Sequence, residues 1–519
     1  MVSRHIMIAE LYDTMDTVSE LMITSVSNEI REVSRSVLYT FLMEYDQSRG
    51  KLEKQFKKLI NNLQYPGMSG RISVLELVHL IINKSSKELL VKLSNSFFIA
   101  LANVSVNDDA PTCRELAVTL ITTMFSKFDK LNADLSFVEK YINIWLKQNK
   151  NELLVRCGLE IFKVYISSIS YEKLNKSLVE NGMKCISTIL YSSKRVRDDD
   201  QEDENDNKSE ETGWELIYSS LNVLLKMTEI EEFDDLYTTK NKRLWDNVID
   251  SLLYPHSWIR ISSSKLVYEF LKRFEEQDEK AEDEIKVDDL MVQTIVNRSF
   301  RQLGAPDISE KMSTSVARLL VLSSKRYIRE DTKYIVEAAK NNNSDEKVRA
   351  KKVYKSALEW VVSRSVFILK NESRQNKDML ITKKAILNFI AYLIQLLPSE
   401  SLSDILSSTL LVPIINISEQ EVLVEDTDDD KSLPATARKI LELVSNKLGI
   451  SDYNLLFSKS KKYIDETRYE RKVKRAQLAL TAPDISAKRK LKKHARSREK
   501  RKNEKDENGY YRAKKKKRV

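Results

Sequence analysis

The chain has 519 residues, of which only 9 are Gly and 8 are Pro. Glycine supplies the positive φ angles of tight turns and of phosphate-binding loops, so this composition favours helices and argues against Rossmann, P-loop, kinase and β-sandwich folds. The net charge of +9 is concentrated at one end: residues 468–519 contain 22 Lys and Arg against 6 Asp and Glu, which leaves residues 1–467 with a net charge of −7. An acidic body with a strongly basic end indicates contact with a nucleic acid or another polyanion.

Apolar residues recur at helical spacing almost from Met1. A helical repeat array normally opens with a repeat whose outer face is polar. We therefore expect either that this sequence is the C-terminal part of a longer array or that another subunit covers this end. The apolar stripe comprises Ile6, Met7, Leu11, Met15, Val18, Leu21, Met22 and Ile23.

An arginine near the start of several predicted helices reveals a repeat. The first four of these arginines are spaced by 40, 43 and 42 residues, and the fifth follows after two further periods plus an acidic insertion. Two helices in every 40-odd residues is the period of HEAT and armadillo arrays, so we predict an all-α, HEAT/armadillo-like α-solenoid over residues 1–450. The alternative is a set of unrelated helical bundles. The registered residues are Arg31, Arg71, Arg114, Arg156 and Arg260.

Three acidic stretches interrupt the helices. They are Asp198–Glu211, Glu275–Asp289 and Glu425–Asp430, and the first of them has nine acidic residues and no apolar residue. A segment of this composition cannot contribute to a core, so we expect disordered acidic insertions at residues 198–213 and 275–289. They are either solvated insertions at helix turns or contacts for a basic partner or for the chain's own basic tail.

The basic end of the chain begins with a predicted terminal helix over residues 451–480. A basic tail follows at residues 481–519, in which Thr481–Asp484 resembles a capping box with Pro in the first turn of a further helix. We expect the tail to be extended or helical and to be ordered by a polyanion, with release of counterions from each neutralised phosphate. The cations predicted to bind RNA are Arg471, Lys472, Lys474, Arg475, Lys488, Arg489, Lys490, Lys492, Lys493, Arg496, Arg498, Lys500, Arg501 and Lys502.

The last residues form a compact basic cluster. Lys514, Lys515, Lys516, Lys517 and Arg518 match a short nuclear-localisation pattern. The other interpretation is a solvated charge run or a continuation of the RNA-binding tail. Nuclear import and RNA binding are compatible roles for the same residues.

Catalytic and metal-binding patterns are missing from the sequence. The four histidines, at positions 5, 79, 256 and 494, have no zinc-ligand spacing to one another or to a cysteine, and no glycine-rich phosphate motif occurs. Carboxylates are plentiful but lie on the solvent faces of predicted helices, so no acid–base pair stands out. We predict no enzymatic activity, no metal, no cofactor and no small-molecule substrate.

The compartment follows from the cysteines and from the apolar runs. Cys113, Cys157 and Cys185 are too few and too far apart for a disulfide framework, which indicates a reducing environment. Residues 1–20 have no apolar secretory core. The longest apolar run, Ile386–Leu397, is shorter than the ~18–20 residues of a membrane span, so we expect no membrane contact.

The basic end resembles a known family. Residues 466–476, with the sequence ETRYERKVKRA, and residues 482–494, with the sequence APDISAKRKLKKH, resemble the C-terminal end of the U3 small nucleolar RNA-associated protein 20 family, also called down-regulated in metastasis. The resemblance implies a non-enzymatic HEAT-repeat scaffold of the small-subunit processome, which acts in 18S pre-rRNA processing and 40S ribosome biogenesis. It also implies pre-rRNA, U3 small nucleolar RNA and other processome proteins as partners, and the nucleus and nucleolus as locations.

Two other functions fit a helical solenoid. One is a HEAT-repeat nuclear transport receptor or adaptor, since such proteins are also acidic solenoids. A receptor would hold basic signals on its own acidic surface, so the cluster at residues 514–518 argues against it. The other is a general scaffold of chromatin or kinase complexes, which the tail alone does not exclude.

Overall fold

The computed structural model describes residues 9–45, 47, 49–148, 151–199, 213–276, 284–305, 308–330, 354, 356–370, 377–406, 410–420, 432–485, 487–492, 494–495 and 497–498. The chain divides into two compact units, Met1–Ser323 and Ser324–Val519. Within the described residues the only β-type pairing is an isolated bridge between Thr238 and Glu284.

Twenty α-helices account for most of the described residues. In chain order they are α1 (Ala9–Thr24), α2 (Asn28–Glu44), α3 (Arg49–Asn61), α4 (Met68–Lys84), α5 (Lys87–Asn107), α6 (Pro111–Lys130), α7 (Ser136–Leu146), α8 (Glu152–Ser168), α9 (Lys176–Asp199), α10 (Trp214–Thr228), α11 (Lys242–Asp250), α12 (Ser257–Glu276), α13 (Asp289–Gln302), α14 (Glu310–Glu330), α15 (Ala357–Lys370), α16 (Lys377–Leu396), α17 (Ser399–Ile405), α18 (Leu411–Ser418), α19 (Leu433–Leu448) and α20 (Ile450–Thr481).

The helices of the first unit are arranged in two layers. Helices α4, α6, α8, α10 and α12 form one layer, in which each helix contacts the next, and α3, α5, α7, α9 and α11 form the other in the same way. Each later member of the first layer also packs on the helix that precedes it in the chain, as α6 does on α5 and α8 on α7. This stack of helix pairs is an α-solenoid, and it confirms the predicted fold class.

Local sequence signals explain where the helices begin. Side chains just before the first turn accept a hydrogen bond from the backbone N–H three residues later, which satisfies one of the donors that a helix start leaves open. Pro111 begins α6, where the missing N–H of proline has no cost. The capping residues are Ser27, Ser86, Asn151, Asp288 and Ser432.

The registered arginines close the turns between helices. Arg31, Arg71, Arg114 and Arg260 each donate from Nη1 to the two backbone carbonyls five and six residues earlier, at distances of 2.5 to 3.1 Å. Unpaired carbonyls in such a turn would be costly to bury. The first two spacings seen in the sequence, 40 and 43 residues, are therefore the spacings of a repeated structural interaction. Arg156 pairs with Glu215 at the start of α10.

Arg71 also joins two repeats. Its Nε and Nη2 atoms donate to the two carboxylate oxygens of Asp108, each at 2.9 Å. The two side chains are only 7% and 4% exposed, so this bidentate pair lies inside the array. Arg71 bonds Asp109 as well.

Lysines satisfy the other ends of the helices. Lys127 donates from Nζ to the carbonyls of Ile82, Asn83 and Ser85 at 2.8 to 3.0 Å, which lie at the end of the corresponding helix one repeat earlier. In the second unit Lys447 of α19 does the same for two carbonyls at the end of α16. Both contacts place a cation where a helix leaves carbonyls without a partner.

The predicted acidic insertions are only partly described. Residues 284–289 are packed, since Ile285 and Val287 are buried and the Ile285 N–H donates to the Tyr237 carbonyl at 2.9 Å. The prediction of a disordered insertion is wrong for these residues, because two apolar side chains among the charges are enough to hold the segment on the core. Residues 277–283 and 200–212 lie outside the described residues, and α9 extends to Asp199.

Two helices of the described residues are long and apolar enough, by length and composition, to cross a membrane. They are Lys87–Asn107 and Met379–Leu396. The same composition suits a helix in the middle of a protein core, and 50% and 44% of their most apolar windows are buried here. In α5 the buried residues include Phe97 and Phe98.

Replacing Arg71 with Met should destabilise the junction of α4 and α6. The change leaves the buried Asp108 carboxylate without its cation, which costs about 3–5 kcal/mol. Arg114→Met is the matched control: it removes hydrogen bonds to two turn carbonyls but orphans no carboxylate, at about 1–3 kcal/mol. Amide hydrogen exchange over residues 65–75 and 105–114 measures both losses. Equal exchange in the two variants would contradict the role of the buried pair.

The same pair makes the stability of this junction depend on pH. Burial raises the pKa of Asp108, but hydrogen bonds from Arg71 and from the Ala110 N–H, with the Arg71 charge, outweigh it and hold the pKa below its ordinary value. The contribution of the carboxylate is therefore complete above the unfolded-state pKa of ~3.9 and is lost as pH falls through the lower folded-state pKa. The difference in melting temperature between the native chain and Asp108→Asn should be largest near neutral pH and should shrink below about pH 4. A difference that is constant with pH would argue against the coupling.

Candidate nucleic-acid interface

The basic end of the chain is carried by α20, which has 32 residues. The helix starts directly after Gly449, whose φ of +85° lies in the region that favours glycine. This single residue ends α19 and lets α20 begin immediately. The terminal helix predicted for residues 451–480 is thus present, with one more residue at each end.

The first half of α20 is held by α18 and α19, which it contacts. Ile464 is 3% exposed and Ser460 is also buried. Lys461 forms an ion pair with Glu419, and Arg468 donates to the Asn416 side chain at 3.1 Å. We call these contacts the anchor of α20.

The second half of α20 leaves the body. No described residue from Tyr469 onward is buried. The thirteen residues from Tyr469 to Thr481 extend the helix by about 20 Å beyond the anchor. A second helical stretch starts at Pro483, where the sequence predicts a helix start, and includes residues 483–485, 487–492, 494–495 and 497–498.

The structure exposes all of the predicted RNA-binding cations that it describes. The exposed residues are Arg471, Lys472, Lys474, Arg475, Lys488, Arg489, Lys490, Lys492 and Arg498. The RNA-binding role of these side chains stays a prediction. The residues that lie outside the described part of the chain are Lys493, Arg496, Lys500, Arg501 and Lys502, and the nuclear-localisation residues Lys514, Lys515, Lys516, Lys517 and Arg518.

The anchor leaves almost no signal in the sequence. Asn416 and Glu419 lie in α18 and at its end, far from the basic segment in sequence. The one available signal was the separation of 42 residues between Glu419 and Lys461, which equals the repeat period. Acidic residues are so common in this chain, with 77 in total, that this separation alone would not have identified the pair.

The grouping and the pKa values of the described His, Cys, Asp and Glu side chains decide whether they suit metal binding or nucleophilic attack. No group of three or more His, Cys, Asp or Glu in the described part could hold a metal ion. Burial raises the pKa of Cys157 to about 12 and that of Cys185 to about 11, so these thiols stay protonated at neutral pH and are poor nucleophiles. His256 stacks on Trp214 with ring centroids 3.9 Å apart, and burial and the nearby Arg260 charge lower its pKa.

Replacing Ile464 with Ala should loosen the anchor. The lost apolar contact is worth about 2–5 kcal/mol, so the amides of residues 450–468 should exchange faster with solvent. Tyr463→Ala is the matched control, since Tyr463 is the neighbouring residue and is 49% exposed. We expect normal exchange over α4–α8 in both variants. Equal protection of α20 in the two variants would contradict the anchor.

The comparisons with known structures agree with the solenoid. The match to a crystal structure of importin beta in an ammonium sulfate condition covers 85% of this chain and 53% of the importin beta chain, with a TM-score of 0.50 and 12% sequence identity. The match to a crystal structure of importin beta in a polyethylene glycol condition covers 87% of this chain and 57% of the importin beta chain, with the same TM-score and sequence identity. At this identity the similarity shows the fold alone.

The sequence comparisons identify the family. Residues 155–507 match the family described as small subunit processome component 20 homolog, C-terminal. The protein named U3 small nucleolar RNA-associated protein 20 is 42% identical over 511 residues in Saccharomyces cerevisiae and 25% identical over 496 residues in Schizosaccharomyces pombe. These matches cover 98% and 94% of this chain but only 19% and 18% of the two relatives, so the chain spans about a fifth of their length. The chain therefore belongs to the family of small subunit processome component 20 homologues, in its C-terminal part, as the basic end indicated.

Proposed function

We propose that this chain is a non-enzymatic scaffold of the small-subunit processome and acts in nucleolar 18S pre-rRNA processing and 40S ribosome biogenesis. Membership of the family supports this role, and so do two relatives named for association with U3 small nucleolar RNA. The observation that carries the proposal is the cationic second half of α20, which projects from the body with its charges exposed.

The two parts of the molecule have different tasks in this proposal. The solenoid binds other processome proteins on its long helical surfaces, and the basic end binds pre-rRNA and U3 small nucleolar RNA. Residues 468–519 carry a net charge of +16 on a body of net charge −7, so a polyanion is attracted to one end only. Each phosphate that the basic end neutralises releases counterions, which makes the binding strong at low salt and weak at high salt.

The nucleus and the nucleolus are the proposed locations. The cluster at residues 514–518 provides the basic signal for import. A nuclear transport receptor is the alternative function for a solenoid of this fold. Binding of a small GTPase in its GTP-bound form to the pure protein would favour that alternative.

The role of the basic end can be tested by removing its charge without changing its length. We expect replacement of the 17 Lys and Arg residues after Thr481 by Gln to lower the affinity for pre-rRNA and U3 fragments by at least a hundredfold at about 0.1 M salt. The slope of log affinity against log salt concentration should fall in the same measurement. A Gln-substituted tail that kept the full affinity and the full slope would exclude the tail as the contact.

A second measurement tests the assignment to the processome. Crosslinking of the tagged native chain to RNA in cells should recover pre-rRNA and U3 fragments, and the Gln-substituted tail should recover fewer of them. Recovery of neither RNA by the native chain would overturn the proposed function.

A further inference from the structure

One side of α20 carries a row of cations. The row begins at Arg468. Arg471, Lys472 and Arg475 follow it by three, four and seven residues, so the four side chains lie on one side of the helix. At 3.6 residues per turn they fall within about 100° of its circumference and about 10 Å of its length. We call these four residues the basic stripe.

The basic stripe continues the face that docks on the body. The docked face contains the buried Ser460 and Ile464, and steps of four and three residues lead from Ile464 through Arg468 and Arg471 to Arg475. Glu466 and Glu470 lie on the opposite side of the helix. Arg468, at the start of the stripe, pairs with Glu419 at 3.9 Å and with Asp465 at 3.8 Å. The stripe cations beyond these pairs are Arg471, Lys472 and Arg475. The same side of α20 is therefore apolar where the body covers it and cationic where the body ends.

Aromatic side chains are scarce in this cationic region. The sequence has no Phe, Tyr or Trp between Tyr469 and Tyr510, although the segment contains most of the basic residues of the tail. Tyr463 and Tyr469 are 49% and 69% exposed, but they lie roughly 110–130° around the helix from the middle of the stripe. In the described part of this segment, Tyr469 is the one tyrosine within a turn of a stripe cation, Lys472, and His494 is the one ring among the cations after Pro483.

These features separate two kinds of RNA. Proteins that bind single strands combine cations with aromatic side chains on which the bases stack, and each stacked base contributes substantially to affinity. Double-helical RNA keeps its bases stacked internally and is recognised by its shape, its phosphates and its 2′-hydroxyl groups. A cationic helix with so few rings has many donors for contacts of the second kind and few faces on which unpaired bases could stack.

We propose that the basic stripe and the cationic helical residues after Pro483 bind double-helical RNA through its phosphate backbones, and that they do not bind unpaired bases. This inference rests on the proposed function, since it names the class of RNA that the same basic end takes. It follows that binding at this site depends on the secondary structure of the RNA and is nearly independent of its sequence.

The direct test compares two forms of one RNA. The full chain is titrated with a duplex of about 20 base pairs and with each of its two component strands, chosen so that neither folds on itself. We expect the duplex to bind at least tenfold more tightly than either strand at about 0.15 M salt. Equal or tighter binding of the strands would overturn this inference and leave the proposed function standing, whereas failure to bind any of the RNAs would overturn both.

Two charge-matched variants locate the contact. Arg471→Gln/Lys472→Gln/Arg475→Gln removes three charges from the stripe, and Lys459→Gln/Lys462→Gln/Lys474→Gln removes three from the other sides of α20. All six side chains are exposed, and glutamine keeps the helix, as circular dichroism will verify. The stripe variant should lose at least tenfold in duplex affinity and two to three units of salt slope, at ~0.9 per phosphate.

The control variant should lose no more than about threefold, through the general loss of charge. Equal losses in the two variants would overturn the stripe as the contact. Polyglutamate at the same charge concentration should not displace the duplex. Full displacement by polyglutamate would indicate an acidic protein segment as the natural ligand and would overturn the proposal.

Discussion

The contact between a guanidinium group and two turn carbonyls is the interaction on which this fold depends. At Arg31, Arg71, Arg114 and Arg260 the side chain reaches back over the first turn of its helix and pairs with the carbonyls five and six residues earlier. A planar group with several donors in fixed directions suits this position, whereas a lysine would offer a single point charge. Because the turn decides where the next helix starts, the same contact at Arg31, Arg71 and Arg114, which are 40 and 43 residues apart, favours the same step from one repeat to the next.

The remaining buried charges connect neighbouring repeats. Arg71 holds Asp108 of the following repeat, and Lys127 satisfies carbonyls at the end of the preceding one. Each of these contacts joins only adjacent helix pairs, which is the pattern of a nearly one-dimensional array whose stability is a sum of repeats and their interfaces. A substitution at one junction should therefore destabilise mainly the helices that meet there. Amide hydrogen exchange, which reports on individual segments, resolves such a change better than a single global unfolding transition does.

The repeat could be predicted from the sequence because a recurring polar contact marks several helix starts in addition to the apolar pattern. The contact does not mark every repeat: Arg156 pairs with Glu215, and α10 has no arginine at its start, where Trp214 stacks on His256. The burial of Ile285 and Val287 could not be predicted from composition, because charged residues dominate the segment around them. The position and charge of the basic end were also visible in the sequence. Its anchor on Glu419 was not, since a pair between distant helices depends on the packing and leaves no local pattern.

The anchor also determines where the cations stand relative to the body. Ile464 is buried in the row that becomes cationic four residues later, at Arg468. A shift of α20 by one turn toward the body would place a guanidinium group in the apolar contact with α18 and α19, and burying such a charge without a full set of partners is costly. Glu419 accepts the cation of Lys461 at the point where the body ends, and Arg475 lies further along, facing solvent. The buried Ile464 therefore sets the register of α20. That register separates Lys461 and Arg468, which hold the helix on the body, from the cations beyond them, which stay exposed.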